Sequence, residues 1–456
     1  MTDSSVLLPN STAVSNDCLY NLKPSAVRSR SYRASIPTSN KSTFNPGDTM
    51  IFYVPGGRKG TFLDCTQSYI RYTVKNNDAT ASNTIIFDGC GASIINRLDT
   101  FHGSNLLESV QQYNALYNYI LDFQMNIGAR QGLSTMYGMD QTNTVSNVRT
   151  GVNIPIGNSA TVCMPLLSGV VGLGIDKMLP IGQLIDDIRL EITLESNLQG
   201  MVWTSTTTTT NWTVVSAELE LCIVELSDEG QNMVNSVSSP DRPLYLHGQS
   251  YRHYTSTLPA TSQGGYSTLV PARFASLKSL VLLPRRNTEV IGATSYSVGS
   301  RINPCLSTYW WRVGASIIPN KVITLDNANS TGGFAESFAE TIKSWHGLNS
   351  YYVSTSVIGQ YYNTCDSTGG GFANTPVQAI ATGANSYKNG FAIGQELESF
   401  ANRGDVLLCG LNTLSSQVFF EANLNTAVGA VSYVLDFYAL YDHILVLENG
   451  ILSVRF

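Results

Sequence analysis

Charged residues are scarce in this sequence. Asp, Glu, Lys and Arg make up 13% of its 456 residues, about half the share that is typical of soluble domains. Hydrophobic residues contribute 43% and aromatic residues 10%, a composition that excludes disorder of the whole chain. The formal net charge is −6, which disfavours a protein whose entire surface binds nucleic acid. The length predicts two to four domains.

Recognisable catalytic and metal-binding motifs are also lacking. The eight cysteines form no CxxC or CxxH pair, which excludes zinc ribbons and thioredoxin-like sites and favours reduced, buried thiols. No HExxH, Walker A or GxSxG motif occurs. His247 and His253 are six residues apart, a spacing that leaves one helix face and, along a strand, separates them by about 20 Å, so it does not suit a shared metal. We therefore predict no catalytic residue, no metal site and no cofactor.

Targeting and membrane segments are not evident in the sequence. Residues 1–17 have no basic segment followed by an apolar core, so we expect no secretion signal. The longest uncharged stretch, 151–175, contains Asn153, Pro155, Asn158 and Pro165. Such a stretch lacks the ~20 mostly apolar residues of a bilayer span, and we expect synthesis inside a cell.

A run of purely basic charge lies near the N-terminus. Between residues 18 and 43 every charged side chain is basic, namely Lys23, Arg28, Arg30, Arg33 and Lys41. The surrounding Ser, Asn and Thr residues show no periodicity. This pattern predicts a mostly extended basic arm over residues 1–43, with an ordinary solvated tail as the alternative.

Short segments of alternating polarity dominate the remainder and predict an all-β protein. Strands are predicted at 50–54, 68–74, 93–101, 187–194, 215–226, 276–283, 309–318, 417–424 and 431–441. Helical spacing predicts one inserted helix over 104–125, with Ser104 as its N-cap, and another over 332–345. The threonine tract 204–213 predicts an exposed loop that includes Thr207, Asn211 and Trp212.

The second half of the chain repeats the plan of the first. Residues 215–221 and 431–437 share one polarity pattern at an offset of 216 residues, and the two predicted helices are separated similarly. The repeat predicts two related antiparallel domains, each a sandwich or jelly roll with one inserted helix. We place the first domain at 44–237, a linker at 238–243 and the second domain at 244–456.

Several segments, in order along both halves, resemble the double jelly-roll major capsid proteins of small eukaryotic double-stranded DNA viruses. The similarity points to the branch of polinton-like viruses, adintoviruses and virophages. The segments that carry it are 62–74, 93–103, 108–122, 164–169, 311–319, 391–400, 409–413 and 441–456.

This resemblance implies two consecutive eight-stranded jelly rolls and a structural role without catalysis. It implies pseudo-hexameric homotrimers that tile an icosahedral shell, with penton and minor capsid proteins as further partners. The location would be the virion, after assembly inside the host cell. On this interpretation the basic arm faces inward, toward genome DNA or an internal membrane.

Two other functions remain open from the sequence alone. A carbohydrate-binding or adhesive β-sandwich would use the many aromatic residues for sugar stacking, with Trp212 in its binding loop. A β-sandwich hydrolase would need convergent acids or a Ser/His pair, and no motif indicates one. The oligomeric state separates these from a capsid subunit, because only the capsid interpretation predicts a trimer.

Overall fold

The structure is a computed structural model. It describes residues 25–79, 84–140, 151–196, 201–203, 211–237, 243–260, 262–287, 298–326, 333–345, 348, 355–357, 359–363, 390–400, 407–425 and 432–456.

Strands dominate the described residues. The strands are β1 (Ser29–Pro37), β2 (Thr49–Val54), β3 (Thr61–Asn76), β4 (Ile85–Phe87), β5 (Ile95–His102), β6 (Asn105–Gln111), β7 (Asn153–Ile154), β8 (Ser159–Met164), β9 (Ile188–Leu194), β10 (Met201–Trp203), β11 (Trp212–Leu226), β12 (Leu244–Leu258), β13 (Gly264–Val270), β14 (Leu277–Arg286), β15 (Leu306–Val313), β16 (Ser316–Thr324), β17 (Ile393–Glu396), β18 (Val418–Leu424), β19 (Tyr433–Glu448) and β20 (Ile451–Arg455). The helices are α1 (Tyr113–Gln124), α2 (Ile127–Gly132), α3 (Ser134–Tyr137), α4 (Asp228–Val237), α5 (Ala335–Lys343) and α6 (Gly359–Tyr362).

These strands form two units with the same topology. The first unit has four-stranded sheets in the orders β1-β11-β3-β8 and β2-β9-β5-β6. The second has the orders β12-β19-β14-β17 and β13-β18-β15-β16, with β20 also paired to β19. Each strand position in these four sheets has its counterpart in the other unit, and the strand pairings within them are antiparallel. A further three-stranded sheet, in the order β10-β4-β7, belongs to the first unit. Two facing four-stranded sheets of this kind are a jelly roll, so the predicted double jelly roll is confirmed.

The repeat seen in the sequence has a structural counterpart. Strand β11 is the second strand of its sheet, and β19 is the second strand of the matching sheet. The helices match as well, because α1 follows β6 and α5 follows β16, which are equivalent strands. The polarity pattern at 215–221 and 431–437 therefore marks two copies of one structural position.

Local alternation explains how the sheets bury their inner faces. In β9, Ile188, Leu190 and Ile192 are buried, while Arg189 and Glu191 point away and form an ion pair of 3.0 Å between Nε and Oε1. Successive side chains of a strand point to opposite faces. The buried face joins one hydrophobic core that extends through both jelly rolls.

The predicted helix over 104–125 is wrong in its first third. Residues Asn105–Gln111 form β6, which pairs with β5, and α1 begins at Tyr113 after Gln112 in a left-handed conformation with φ 48°. Positions 106 and 110 fit one face of a strand as well as one face of a helix, so their spacing cannot distinguish the two. Pairing with β5 decides in favour of the strand.

Two other boundaries also differ from the predictions. The predicted strand 309–318 is a hairpin, in which Gly314 (φ 58°) separates β15 from β16. The first jelly roll begins before residue 44, because β1 lies within the predicted arm and pairs along its whole length with β11. Helix α4 precedes the predicted linker, of which residues 238–242 lie outside the described residues.

Candidate functional site

The predicted basic arm contributes the edge strand β1. Arg33 pairs with Glu220 of β11 through two bonds, Nε to Oε2 at 2.7 Å and an η nitrogen to Oε1 at 2.9 Å. Arg30 donates to Glu225 at 2.7 Å, and this hydrogen bond lowers the pKa of Glu225. Edge strands expose unpaired backbone groups, and charged side chains on them oppose pairing with other chains.

The other basic residues of the arm have different surroundings. The Lys41 amine lies 3.0 Å from an Asp48 carboxylate oxygen. Arg28 is exposed just before β1, and Lys23 lies outside the described residues. Acidic partners on the same jelly roll therefore neutralise three of the five predicted cations, Arg30, Arg33 and Lys41.

The predicted exposed binding loop is wrong for Trp212. This residue is the first of β11, pairs with Asn76 of β3, and has 0% of its surface exposed. Asn211 is exposed, and its carbonyl oxygen accepts a hydrogen bond of 2.7 Å from the Asn77 amide. Thr207 lies outside the described residues. The threonine tract suggested a loop, but pairing with β3 places the indole in the core.

Buried polar side chains join the two jelly rolls along α1. We call this contact the seam, and it includes the hydrogen-bonded groups around Asp122 and Glu108. Asp122 near the end of α1 lies 2.9 Å from Arg130 and contacts Arg301 of the second jelly roll. Its carbonyl oxygen accepts hydrogen bonds from Thr355 at 2.6 Å and Ser356 at 2.9 Å. All three charged side chains are almost completely buried. Removing one partner from such a buried cluster leaves an uncompensated charge, which is strongly destabilising.

The other end of α1 is also attached to the second jelly roll. The carbonyl oxygen of Gln112 accepts a 2.9 Å bond from the Tyr438 hydroxyl, and its side-chain oxygen lies 3.3 Å from Arg285. Arg285 in turn pairs with Asp436 at 2.6 Å, and His253 lies 2.9 Å from the other oxygen of that carboxylate. Burial opposes ionisation of Asp436, but these two neighbours outweigh it and lower its pKa.

A second carboxylate, Glu108 of β6, lies in the seam. It accepts hydrogen bonds from the hydroxyls of Ser168 and Ser250 and a 2.8 Å bond from the Gly169 amide. Ser250 belongs to β12 of the second jelly roll. Burial raises the pKa of Glu108 against the effect of these donors. Nearby, His443 Nε2 lies 3.1 Å from the Gly169 carbonyl oxygen, and burial lowers the pKa of His443 to about 4.

The loop that follows β8 runs beside β12 of the other jelly roll. Ile175 and Gly248 form an antiparallel bridge, and the Gln249 amide donates a 2.7 Å bond to the Gly174 carbonyl. A Cβ on Gly174 would lie 2.2 Å from the Gln249 carbonyl oxygen, so the close approach requires glycine. This loop covers part of the edge of β12, which would otherwise expose backbone groups.

The C-terminal hairpin of β19 and β20 reaches back to the first jelly roll. The Leu452 amide donates to His102 Nδ1 at 3.2 Å, and the Ile185 amide donates to the Gly450 carbonyl at 3.0 Å. The chain therefore connects the two jelly rolls through α1, through the loop after β8 and through its last hairpin. An arrangement of this kind holds two domains as one body.

The described residues also bear on metal-binding clusters, thiols and membrane-spanning helices. Within the ranges that the structure covers, no cluster of three or more His, Cys, Asp or Glu has the geometry to hold a metal ion. Six described cysteines are free thiols, and burial raises the pKa values of Cys65 and Cys90 to about 12. In the same part of the chain, no helix is both long and apolar enough to cross a membrane.

Sequence reasoning did not find the seam residues. Asp122 and Glu108 were predicted to lie on one helix, and Arg301 carried no signal at all. A usable signal was the position of Asp436 and Asp442 within the apolar sequence of β19, where a charged side chain needs a buried partner. The identity of that partner depends on the fold, so no local pattern contains it.

Known protein structures share this architecture. No family model and no curated protein matches the sequence. The VP54 protein of PBCV-1, a crystal structure fitted into a reconstruction of the virophage Sputnik, matches 96% of this chain and 98% of its own, with TM-score 0.62 and 12% identity. The chain is therefore a double jelly-roll protein, with the fold that viral major capsid proteins of this kind have.

Two further matches extend over nearly the full length of both chains. A cryo-EM structure of the Sputnik virophage matches 100% of this chain and 94% of its own, with TM-score 0.58 and 14% identity. The mavirus major capsid protein matches 97% and 94%, with TM-score 0.54 and 8% identity. The resemblance predicted from the sequence is confirmed at the level of the fold.

Proposed function

We propose that this chain is a major capsid protein, which forms pseudo-hexameric homotrimers that tile an icosahedral viral shell. The observation that carries the proposal is the match of both jelly rolls, over nearly the whole chain, to viral major capsid proteins. Two copies of one topology in each chain give six similar units in a trimer, which is the geometry for hexagonal tiling. The role is structural and uses no catalytic residue.

The seam supports this proposal physically. A capsid subunit must keep its shape when it packs against its neighbours. The buried ion pairs of Asp122 and hydrogen bonds of Glu108 fix the relative position of the two jelly rolls. Exposed apolar side chains are available for contacts between copies. Ile185 is 69% exposed, and it lies beside Gly450 and the 49% exposed Ile451. Low overall charge also suits a surface that other subunits cover.

Light scattering of the purified chain, followed by electron microscopy of the main peak, tests the proposal. The expected species has three times the chain mass of 49.5 kDa and a hexagonal outline. A monomer at high concentration, with no larger assembly after addition of penton and minor capsid proteins, would contradict the proposal.

We also propose that the basic arm faces the inside of the shell and contacts genome DNA. Acidic partners occupy Arg30, Arg33 and Lys41, so Lys23 and Arg28 would supply the phosphate contacts. Each lost contact should lower the salt dependence of DNA binding by about 0.9 in the slope of log K against log salt.

The test compares DNA binding by the full chain with that of a chain that starts at residue 25 and carries Arg28→Gln. Arg33→Gln is the control, because that guanidinium is paired with Glu220. Equal salt slopes for the two chains would contradict the DNA contact. Binding to anionic vesicles, but not to DNA, would assign the arm to an internal membrane instead.

The carbohydrate-binding alternative is weakened because its candidate binding loop has no exposed tryptophan at position 212. Sugar stacking requires an exposed aromatic face, and Trp212 is completely buried. Screening the purified chain against glycans tests this alternative directly, and we expect no glycan to bind through residues 204–212.

A further inference from the structure

His247 of β12 lies between two carboxylates that belong to different jelly rolls. Its Nδ1 is 2.6 Å from Asp176 Oδ2, and its Nε2 is 3.0 Å from Asp442 Oδ1. Asp176 lies on the loop after β8 in the first jelly roll, and Asp442 lies on β19 in the second. The imidazole is 10% exposed and Asp442 is 2% exposed, whereas Asp176 is 50% exposed, so water has little access to the Asp442 contact but reaches Asp176.

Only one protonation state of the His247 ring can donate hydrogen bonds to both carboxylates. A neutral imidazole has one N–H and can donate to only one of the two carboxylates. Its other nitrogen would then direct a lone pair at the second carboxylate at hydrogen-bond distance. Both contacts are favourable only for the imidazolium, which donates from both nitrogens. We propose that His247 is a protonated clamp between the two jelly rolls, and that the seam around β12 loosens when rising pH removes its proton.

The groups around His247 support this assignment. The hydrogen bond to Asp442, followed by that to Asp176, outweighs burial and raises the pKa of His247. Asp442 also accepts a 2.6 Å bond from the Ser276 hydroxyl, and its pKa is lowered because its hydrogen-bonding partners outweigh burial. Lys278 lies 3.9 Å from Asp442.

Two neighbouring groups, Lys278 and His443, keep their charge states while His247 changes. By contrast, burial raises the pKa of Glu396, which lies beside Lys278 and Glu398, to about 7, so Glu396 titrates in the same range. Lys278 pairs with Glu398 at 2.6 Å, and its pKa is raised against burial by Glu398 and Asp442. His443 has a pKa of about 4 and stays neutral above pH 6.5. A histidine whose folded pKa is raised stabilises the fold below its unfolded pKa of ~6.5, and this contribution is lost as the pH rises through the folded value.

Nitrogen NMR of the full-length protein labelled with ¹⁵N-histidine tests the charge directly. The chain has five histidines, so the signal lost in His247→Gln identifies the ring. We expect both of its nitrogens to be protonated at pH 6.5 and the ring to lose its proton only at higher pH. A neutral tautomer at pH 6.5 would overturn the proposal.

Hydrogen exchange tests the loosening of the seam. The Gln249 amide, which donates to Gly174 across the seam, should exchange faster at pH 9 than at pH 6 after correction for intrinsic rates. In His247→Gln the corrected rate should already be high at pH 6. A corrected rate that does not change with pH in the native protein would refute the clamp.

Asp176→Asn provides a milder variant in case His247→Gln fails to fold. It removes one negative charge, keeps an acceptor for Nδ1–H, and should shift the His247 titration to lower pH. An unshifted titration would contradict a role for Asp176. The inference concerns the monomer and does not rest on the capsid role, so either proposal can fail without the other.

Discussion

Ser250 of the second jelly roll donates its hydroxyl hydrogen bond to Glu108 of the first. The buried carboxylate therefore obtains its donors from both domains, because Ser168 and the Gly169 amide supply the others. A buried charge must be fully hydrogen-bonded to be tolerated. Neither jelly roll therefore has a complete interior without the other.

Asp122→Asn should lower the free energy of unfolding by about 3–5 kcal/mol, because it leaves the buried Arg130 and Arg301 without their shared carboxylate. Guanidinium denaturation followed by circular dichroism measures the change. Glu336→Gln is the matched control, since its partner Lys321 is exposed, and it should change stability by at most about 1 kcal/mol. Equal changes in the free energy of unfolding for the two variants would show that the buried ion pairs of Asp122 do not stabilise the seam.

Gly174→Ala should destabilise the protein and loosen the loop after β8. The added Cβ would lie 2.2 Å from the Gln249 carbonyl oxygen, so the bridge to β12 must open. Gly132→Ala is the control, because nothing lies within 4 Å of its Cβ position, and alanine in a helix is favoured by about 1 kcal/mol. The melting temperature should fall for Gly174→Ala and rise for Gly132→Ala.

Trp212→Ala should cost about 3–5 kcal/mol of stability, which is typical of removing a buried tryptophan. Asn211→Ala should change it little, because that side chain is exposed. Urea unfolding monitored by circular dichroism compares the two. A small effect of Trp212→Ala would mean that the indole is exposed and would restore the binding-loop interpretation.

The stability should fall on the acid side partly through His443. Its folded pKa of about 4 lies below the unfolded value of ~6.5, so the unfolded state binds a proton first as the pH falls from 6.5 to 4. His443→Gln should remove up to about 3 kcal/mol of this loss. Melting temperatures at pH 7 and pH 4.5 measure the difference.

His247→Gln is the control for that pH experiment. The imidazole of His247 is protonated in both folded and unfolded states below pH 6.5, because its folded pKa is raised. His247→Gln should therefore lose as much stability between pH 7 and pH 4.5 as the native protein does. A loss of equal size in His443→Gln and in the native protein would contradict the assignment to His443.

Sequence reasoning predicted the elements whose patterns are local. Strand β9 was found because its alternation is strict, and the repeat was found because β11 and β19 occupy equivalent positions. The start of α1 was wrong because a spacing of four residues fits a strand and a helix equally. Asp122 and Arg301 are 179 residues apart in the chain, and only the three-dimensional arrangement of the two domains pairs them.

The matching sheet orders of the two jelly rolls have a consequence for how this protein can change over time. In a symmetric dimer every substitution appears twice, so a residue that improves one side of the contact must also be tolerated on the other. Here both copies lie in one chain. Asp122 on α1 and Arg301 before β15 occupy different halves, and each half carries a different member of the pair. Because both halves belong to one chain, a substitution in one half need not suit the other, and the two halves can carry complementary residues.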